Sequence, residues 1–214
     1  VLPFIALTVL ATAGLLAADY RHLQAGVWVA KPLASLGFVA TALAAGALAS
    51  PYGAWVLIAL VLCLLGDVLL IPHGAGRVFQ AGVGAFLLGH VAFAVAFVLH
   101  GVSLPAAAGA ALVVAPTLTG IRLWLGPHLP PDLRASVTAY VVVIGTMVVC
   151  AIGAAAAGAP LAAAVGAVLF AASDVSVARD RFVGAGFSNR LWGLPLYFGA
   201  QLLLAASVAT ATGG

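Results

Sequence analysis

The chain has 214 residues, of which 65% are hydrophobic and only 6% charged. A soluble domain carries about a quarter charged side chains, so this one cannot solvate a globular surface. A nucleic-acid binder, a disordered chain and a secreted disulfide scaffold are excluded, which leaves a polytopic membrane protein.

Hydropathy and breaker residues place spans near 1–18, 29–49, 53–71, 78–99, 104–124, 135–156, 160–178 and 190–211, in one membrane domain. A segment in lipid must satisfy its own backbone, and nothing alternates like barrel strands, so the expectation is an all-α bundle of eight transmembrane helices. The first run is long enough to span and is read as a helix, not as a signal peptide. The links at Pro51, at His100 to Ser103 and before Pro160 are short and uncharged. The other four hold Asp19, Arg21 and His22; His73 and Arg77; Arg122, His128, Asp132 and Arg134; and Arg179, Asp180, Arg181 and Arg190. Cys63 and Cys150 sit in apolar runs and read as small core residues. Trp28, Trp55, Trp124 and Trp192 lie near span ends, as interfacial anchors do.

The net charge of +3 comes from seven Arg and the single Lys31 against five Asp, with no Glu. Alternating the spans puts every Arg on one side, which the positive-inside rule makes cytoplasmic, with both termini on the non-cytoplasmic side. The Arg bias and the Ala, Gly and Val content suggest a GC-rich bacterial genome, hence a bacterial inner membrane. A weak internal repeat is also present. Gly66-Asp67-Val68 matches Ser173-Asp174-Val175, and His90 and Tyr197 each follow their Asp by 23 residues. Both Asp lie on spans of the same direction, so the repeat would be parallel, four helices plus four, of a kind that places sites between halves.

An ionisable group inside a span costs ~2.5–3.5 kcal/mol at the helix centre. Lys31, Asp67, His90 and Asp174 accept that cost or a fraction of it, with Tyr197 and Gln201 beside them. Their depths let all of them open onto one cavity toward the cytoplasmic half. Asn189, Gly193, Tyr197 and Gln201 form one helical stripe, and Phe79, Gly82, Phe86, His90, Phe93 and Phe97 another. Ser136 and Tyr140 share a face near the same end. Plainer readings compete: the aspartates can be ion pairs with Lys31 or Arg179, Lys31 can snorkel to headgroups, and the Phe stripe can be core.

Two carboxylates in a membrane cavity suit acid-catalysed hydrolysis with water as nucleophile, because burial and a nearby cation split such a pair into an acid and a base. There is no G-x-S-x-G elbow, and no H-E-x-x-H or cysteine-pair zinc pattern.

Lys31-Pro32-Leu33, Gly66-Asp67-Val68-Leu69-Leu70, Phe86 with Gly89-His90, Ser173-Asp174, and Trp192 with Tyr197, Ala200 and Gln201 together resemble the YhhN-like lysoplasmalogenase family, over about residues 28–204. The resemblance implies hydrolysis of the vinyl-ether bond of a lysoplasmalogen, a single-chain lysophospholipid, to a fatty aldehyde and glycerophosphoethanolamine or glycerophosphocholine. No metal or organic cofactor is expected from it. Asp67 and Asp174 are then the catalytic candidates, and Lys31, His90, Tyr140, Tyr197 and Gln201 the binding or orienting ones. A rival expectation is a lipid or small-molecule transporter or flippase with an intramembrane charged site. Headgroup preference and oligomeric state are not set by the residues.

Overall fold

A computed structural model describes residues 1–72 and 76–211; His73, placed by the sequence in the third link, lies outside the described residues. Eight helices are long and apolar enough to cross a membrane. They are α1 (Leu2–Tyr20), α2 (Gln24–Ala44), α3 (Pro51–Leu69), α4 (Arg77–His100), α5 (Leu104–Leu125), α6 (Arg134–Ala156), α7 (Leu161–Ala178) and α8 (Phe187–Ala211). No strand occurs among the described residues.

Turn chemistry differs at the two ends of the bundle. The three uncharged links each turn through a glycine in the left-handed region: Gly46 at φ +87°, Gly101 at +109° and Gly158 at +106°. A Cβ is disfavoured there, so three tight reversals follow from three residues. Ser50 then starts α3, its Oγ accepting from the Gly53 N–H at 3.0 Å, with Pro51 in the first turn. The opposite end carries all seven Arg and the longer links.

Of the boundaries that differ from the sequence reading, two bear on the site. Helix α2 begins at Gln24 rather than near 29, which sets Lys31 two turns inside it. Helix α7 does not stop at its charged residues: Arg179–Val183 continue it as a π-helical turn, so Asp174 lies deeper than one turn from the end. Hydropathy reports the hydrocarbon layer, whereas a helix runs on into the headgroup zone wherever its backbone remains bonded.

Helices α1 and α5 are peripheral, and α8 is the most enclosed. In the middle, Phe38, Phe93, Phe97, Phe170, Phe198 and Met147 are fully buried. Polar pins act at the flanks. Thr8 Oγ1 donates to the Ala34 carbonyl at 3.1 Å between α1 and α2, and the Tyr52 hydroxyl lies 2.7 Å from Ser207 Oγ between α3 and α8. Between membrane helices such bonds and close small-residue contact replace the hydrophobic effect as the source of cohesion.

The α7–α8 contact depends on one absent methyl group. A Cβ at Gly193 would overlap Ser176 Oγ and lie 2.7 Å from Ser176 Cβ, so the helices would have to part. Gly193→Ala is expected to destabilise the protein by about 1–3 kcal/mol, seen as a lower unfolding midpoint in detergent. Gly14→Ala, where nothing lies within 4 Å, serves as the neutral control. Equal midpoints for the two variants would mean that α7 and α8 are not held this closely.

Candidate active site

Five Asp are present, and three of them lie at the charged end. Arg190 Nη1 donates to Asp19 Oδ1 at 2.6 Å, and its Nη2 lies 3.6 Å from Asp180 Oδ2. Asp180 Oδ1 accepts from the Gly186 N–H at 2.8 Å and from Asn189 Nδ2 at 3.1 Å, and Arg179 Nη1 donates to Asn189 Oδ1 at 2.6 Å. Asn189, first in the polar stripe of α8, therefore fastens the α7–α8 link. Asp132 stands exposed in the α5–α6 link. Asp67 and Asp174 remain inside the bundle.

Asp67, on the last turn of α3, is 2% exposed. Lys31 Nζ lies 3.3 Å from its Oδ1, while the Ser35 and Tyr197 hydroxyls each donate to its Oδ2 at 2.7 Å. Lys31 and Ser35 are i,i+4 on α2 and so present one face to the carboxylate. Ser35 Oγ also lies 3.1 Å from the Lys31 carbonyl, but its one proton goes to the closer, charged acceptor. Tyr197 is held on its ring by Phe86, Phe170 and Phe198 at centroid distances of 5.8, 5.6 and 4.8 Å, which fixes the position of its hydroxyl. Both helices that carry these donors contain a proline close by, Pro32 in α2 and Pro195 in α8. Each proline removes one rung of the helix ladder and lets the helix bend there.

Asp174 on α7 has other neighbours. The Tyr140 hydroxyl from α6 donates to its Oδ2 at 3.4 Å, and His90 Nε2 from α4 lies 3.2 Å from the same oxygen. His90 is fully buried and stacked on Phe170 at 4.2 Å. Its Nε2 is close to Asp174 but not aligned with it as a hydrogen bond, so it counts among the buried polar atoms without a bonded partner. The other ring nitrogen settles the tautomer. His90 Nδ1 sits 2.7 Å from the Phe86 carbonyl, which can only accept, so the Nδ1 proton is committed there. In neutral His90, Nε2 is then a bare acceptor facing a carboxyl oxygen. Two acceptors at this distance repel unless a proton lies between them.

An ammonium meets a carboxylate around Asp67, and a carboxyl group meets an imidazole and a phenol around Asp174. Neutral pairing is the condition under which charged groups are tolerated at this depth. The clusters are joined through Phe170, which contacts both His90 and Tyr197. The partners are also crossed. Asp67 meets α2 of its own half and α8 of the other, while Asp174 meets α6 of its own half and α4 of the other.

Of the residues singled out from sequence, Lys31, Asp67 and Tyr197 form one cluster and His90, Tyr140 and Asp174 the second. Gln201 reaches neither carboxylate by a hydrogen bond; it is fully buried, with Nε2 3.8 Å from Cys63 Sγ and Oε1 unpartnered. Ser136 is exposed. The pairing of Asp174 with Arg179 does not occur, because Arg179 bonds Asn189. Ser35 was missed, although its i+4 position from Lys31 was the available signal. The Phe86 carbonyl, a backbone group, left no signal at all.

The model of the YhhN family matches residues 26–208. The chain is 36% identical over 178 residues to proteins named "Lysoplasmalogenase" in Mycobacterium bovis (strain ATCC BAA-935 / AF2122/97) and Mycobacterium tuberculosis (strain CDC 1551 / Oshkosh), covering 78% of this chain and 66% of theirs. It is 33% identical over 154 residues to "Lysoplasmalogenase TMEM86B" of Sus scrofa, covering 71% of this chain and 62% of that protein. The chain thus spans just under two thirds of the length of these curated relatives. No solved structure matches it. With the matched region running from the start of α2 through Val208 and so including every residue of both clusters, the chain belongs to the YhhN family.

Proposed function

We propose that the protein hydrolyses the vinyl-ether bond of a lysoplasmalogen, releasing a fatty aldehyde and a glycerophospho-alcohol. The observation that carries this is the pair of membrane-embedded aspartates in opposite settings, one saturated by donors and one facing Nε2 of His90, a pair that in this reading takes up one proton. The names of the relatives support the same substrate class.

A vinyl ether is opened by adding a proton to its β-carbon, which leaves an oxocarbenium ion. The Asp174–His90 dyad supplies that proton. Asp67 accepts from Lys31, Ser35 and Tyr197 and stays anionic throughout, so its role is to oppose the positive charge that develops. Water then adds to the cation and returns its proton to the dyad. The hemiacetal collapses, the carbon–oxygen bond to glycerol breaks, and the alcohol leaves with its oxygen. Atoms balance as one water consumed, with the dyad restored. Tyr140 steadies Asp174, and Lys31 keeps Asp67 ionised. Gln201, with an unpartnered carbonyl one turn beyond Tyr197, is placed to hold a water.

The positive-inside rule assigns the arginine-bearing end to the cytoplasm, so the site opens toward the cytoplasmic half of a bacterial inner membrane. The crossed contacts between halves are equally those of a transporter built from a parallel repeat, and this is the second reading. One experiment separates the two. Purified protein in detergent is given an alkenyl lysophosphatidylethanolamine and its saturated alkyl analogue, in D2O, with products trapped and read by mass spectrometry. The expected result is aldehyde from the alkenyl lipid alone, carrying one deuterium on the carbon next to the carbonyl. Survival of both lipids would reject the hydrolase and send the protein to flux assays in proteoliposomes. Aldehyde without deuterium would reject carbon protonation as the step.

A further inference from the structure

An open crevice of about 320 Å³ runs along the seam between α4 and α6, lined by Val91, Ala94, Val98, Val143, Thr146 and Cys150 among others. We infer that this crevice holds the hydrocarbon chain of the substrate, and so sets which chain lengths are cleaved. The inference rests on the lysolipid hydrolysis proposed above and adds a binding site to it.

Position carries the argument. The seam is closed at one level by the His90–Tyr140 ring contact, with centroids 5.5 Å apart, and these are the two side chains set against Asp174. Val91 follows His90 and Val143 stands three residues after Tyr140, so the crevice starts within one turn of the dyad along both helices. It then runs away from the arginine-bearing end, reaching Leu99 on α4 and Cys150 on α6. Cys150 lies ten residues beyond Tyr140, about 15 Å of helix rise. A lysolipid has the same order along its length: a charged headgroup, the vinyl ether a few bonds away, and one chain beyond. With the headgroup among the arginines and the ether at the aspartates, the chain has this seam as its continuation.

The chemistry of the lining agrees. Its one hydroxyl, on Thr146, is turned back to the Val142 carbonyl of its own helix at 2.9 Å, leaving an apolar wall. The crevice is open along its side, so a chain can enter from the bilayer without threading. Moving a chain from lipid into such a groove gains little free energy, since both are apolar. The groove therefore acts by positioning the ether, and its effect falls on turnover as well as on binding.

The test is steric. Cys150→Trp and, as a second variant on an exposed position, Leu99→Trp narrow the far part of the seam without touching any residue of the two clusters. Val165→Trp, in a separate crevice of about 230 Å³ between α6 and α7, is the control for a general disturbance of lipid contact. Each is assayed with octenyl and hexadecenyl lysophosphatidylethanolamine, the shorter chain ending below Cys150 and the longer running past it. The expected result is a loss of roughly tenfold or more in kcat/KM for the hexadecenyl lipid relative to the octenyl one, in both seam variants and not in the control. An unchanged ratio in a seam variant that still cleaves the octenyl lipid overturns the groove and leaves the hydrolase standing. An equal shift in the Val165 variant also overturns it. A wild-type protein that cleaves neither lipid removes the hydrolase reading, and the groove falls with it.

Discussion

Asp174→Asn is expected to stop aldehyde release almost entirely while leaving the bundle folded. An asparagine at this position can still meet Tyr140, and its amide can still face His90, so the packing of α4, α6 and α7 is kept. It cannot give up a proton to carbon. General acid catalysis contributes about a hundredfold to ten-thousandfold, and carbon is slow to protonate, so the upper part of that range applies. The substitution is close to isosteric and the side chain is 16% exposed, so the unfolding midpoint should move little. Turnover within a few per cent of wild type, on matched protein in detergent, would remove Asp174 from the chemistry.

Lys31→Met should act in the opposite way, on the fold first. It leaves Asp67, 2% exposed, with two hydroxyl donors and no cation. Removing one partner of a buried ion pair costs about 3–5 kcal/mol, because the remaining charge stays desolvated. Removing both partners is a different matter: Lys31→Met with Asp67→Leu replaces the pair by apolar groups of similar size. The double variant should recover most of the lost unfolding midpoint and yet release no aldehyde. Recovery of stability alone would fit a purely structural pair as well, so the activity decides. A double variant that is stable and active would show that Asp67 only holds the helices together.

How much of this was legible in the sequence follows from which physical signal each feature leaves. The eight helices were legible because hydrocarbon demands long apolar runs, and three links because they are short and uncharged, whereas the turn at Gly46 lay inside the span read as 29–49. Asp67, His90 and Asp174 were legible as costs the membrane had to tolerate. Their partners were less so. That Asp67 takes Lys31 while Asp174 takes His90 depends on rotation and depth of helices far apart in the chain, which hydropathy does not report. The π turn at Arg179–Val183 was hidden because charged residues in a helical extension look like those in a loop. Ser35 was hidden because a serine in a membrane helix is ordinary until a carboxylate is found opposite it.

The crossed contacts have a consequence for how such a protein arises and fails. Each run of four helices brings one carboxylate to the middle of the bundle, and each lacks the donor that reaches it from the fourth helix of the other run. A chain severed in the link around Gly101 would yield two fragments, each with its acid short of one partner: Asp67 without Tyr197, and Asp174 without His90. Each acid gains its remaining partner when the fragments meet. Correct association of the two runs and completion of both carboxylate clusters are therefore one event.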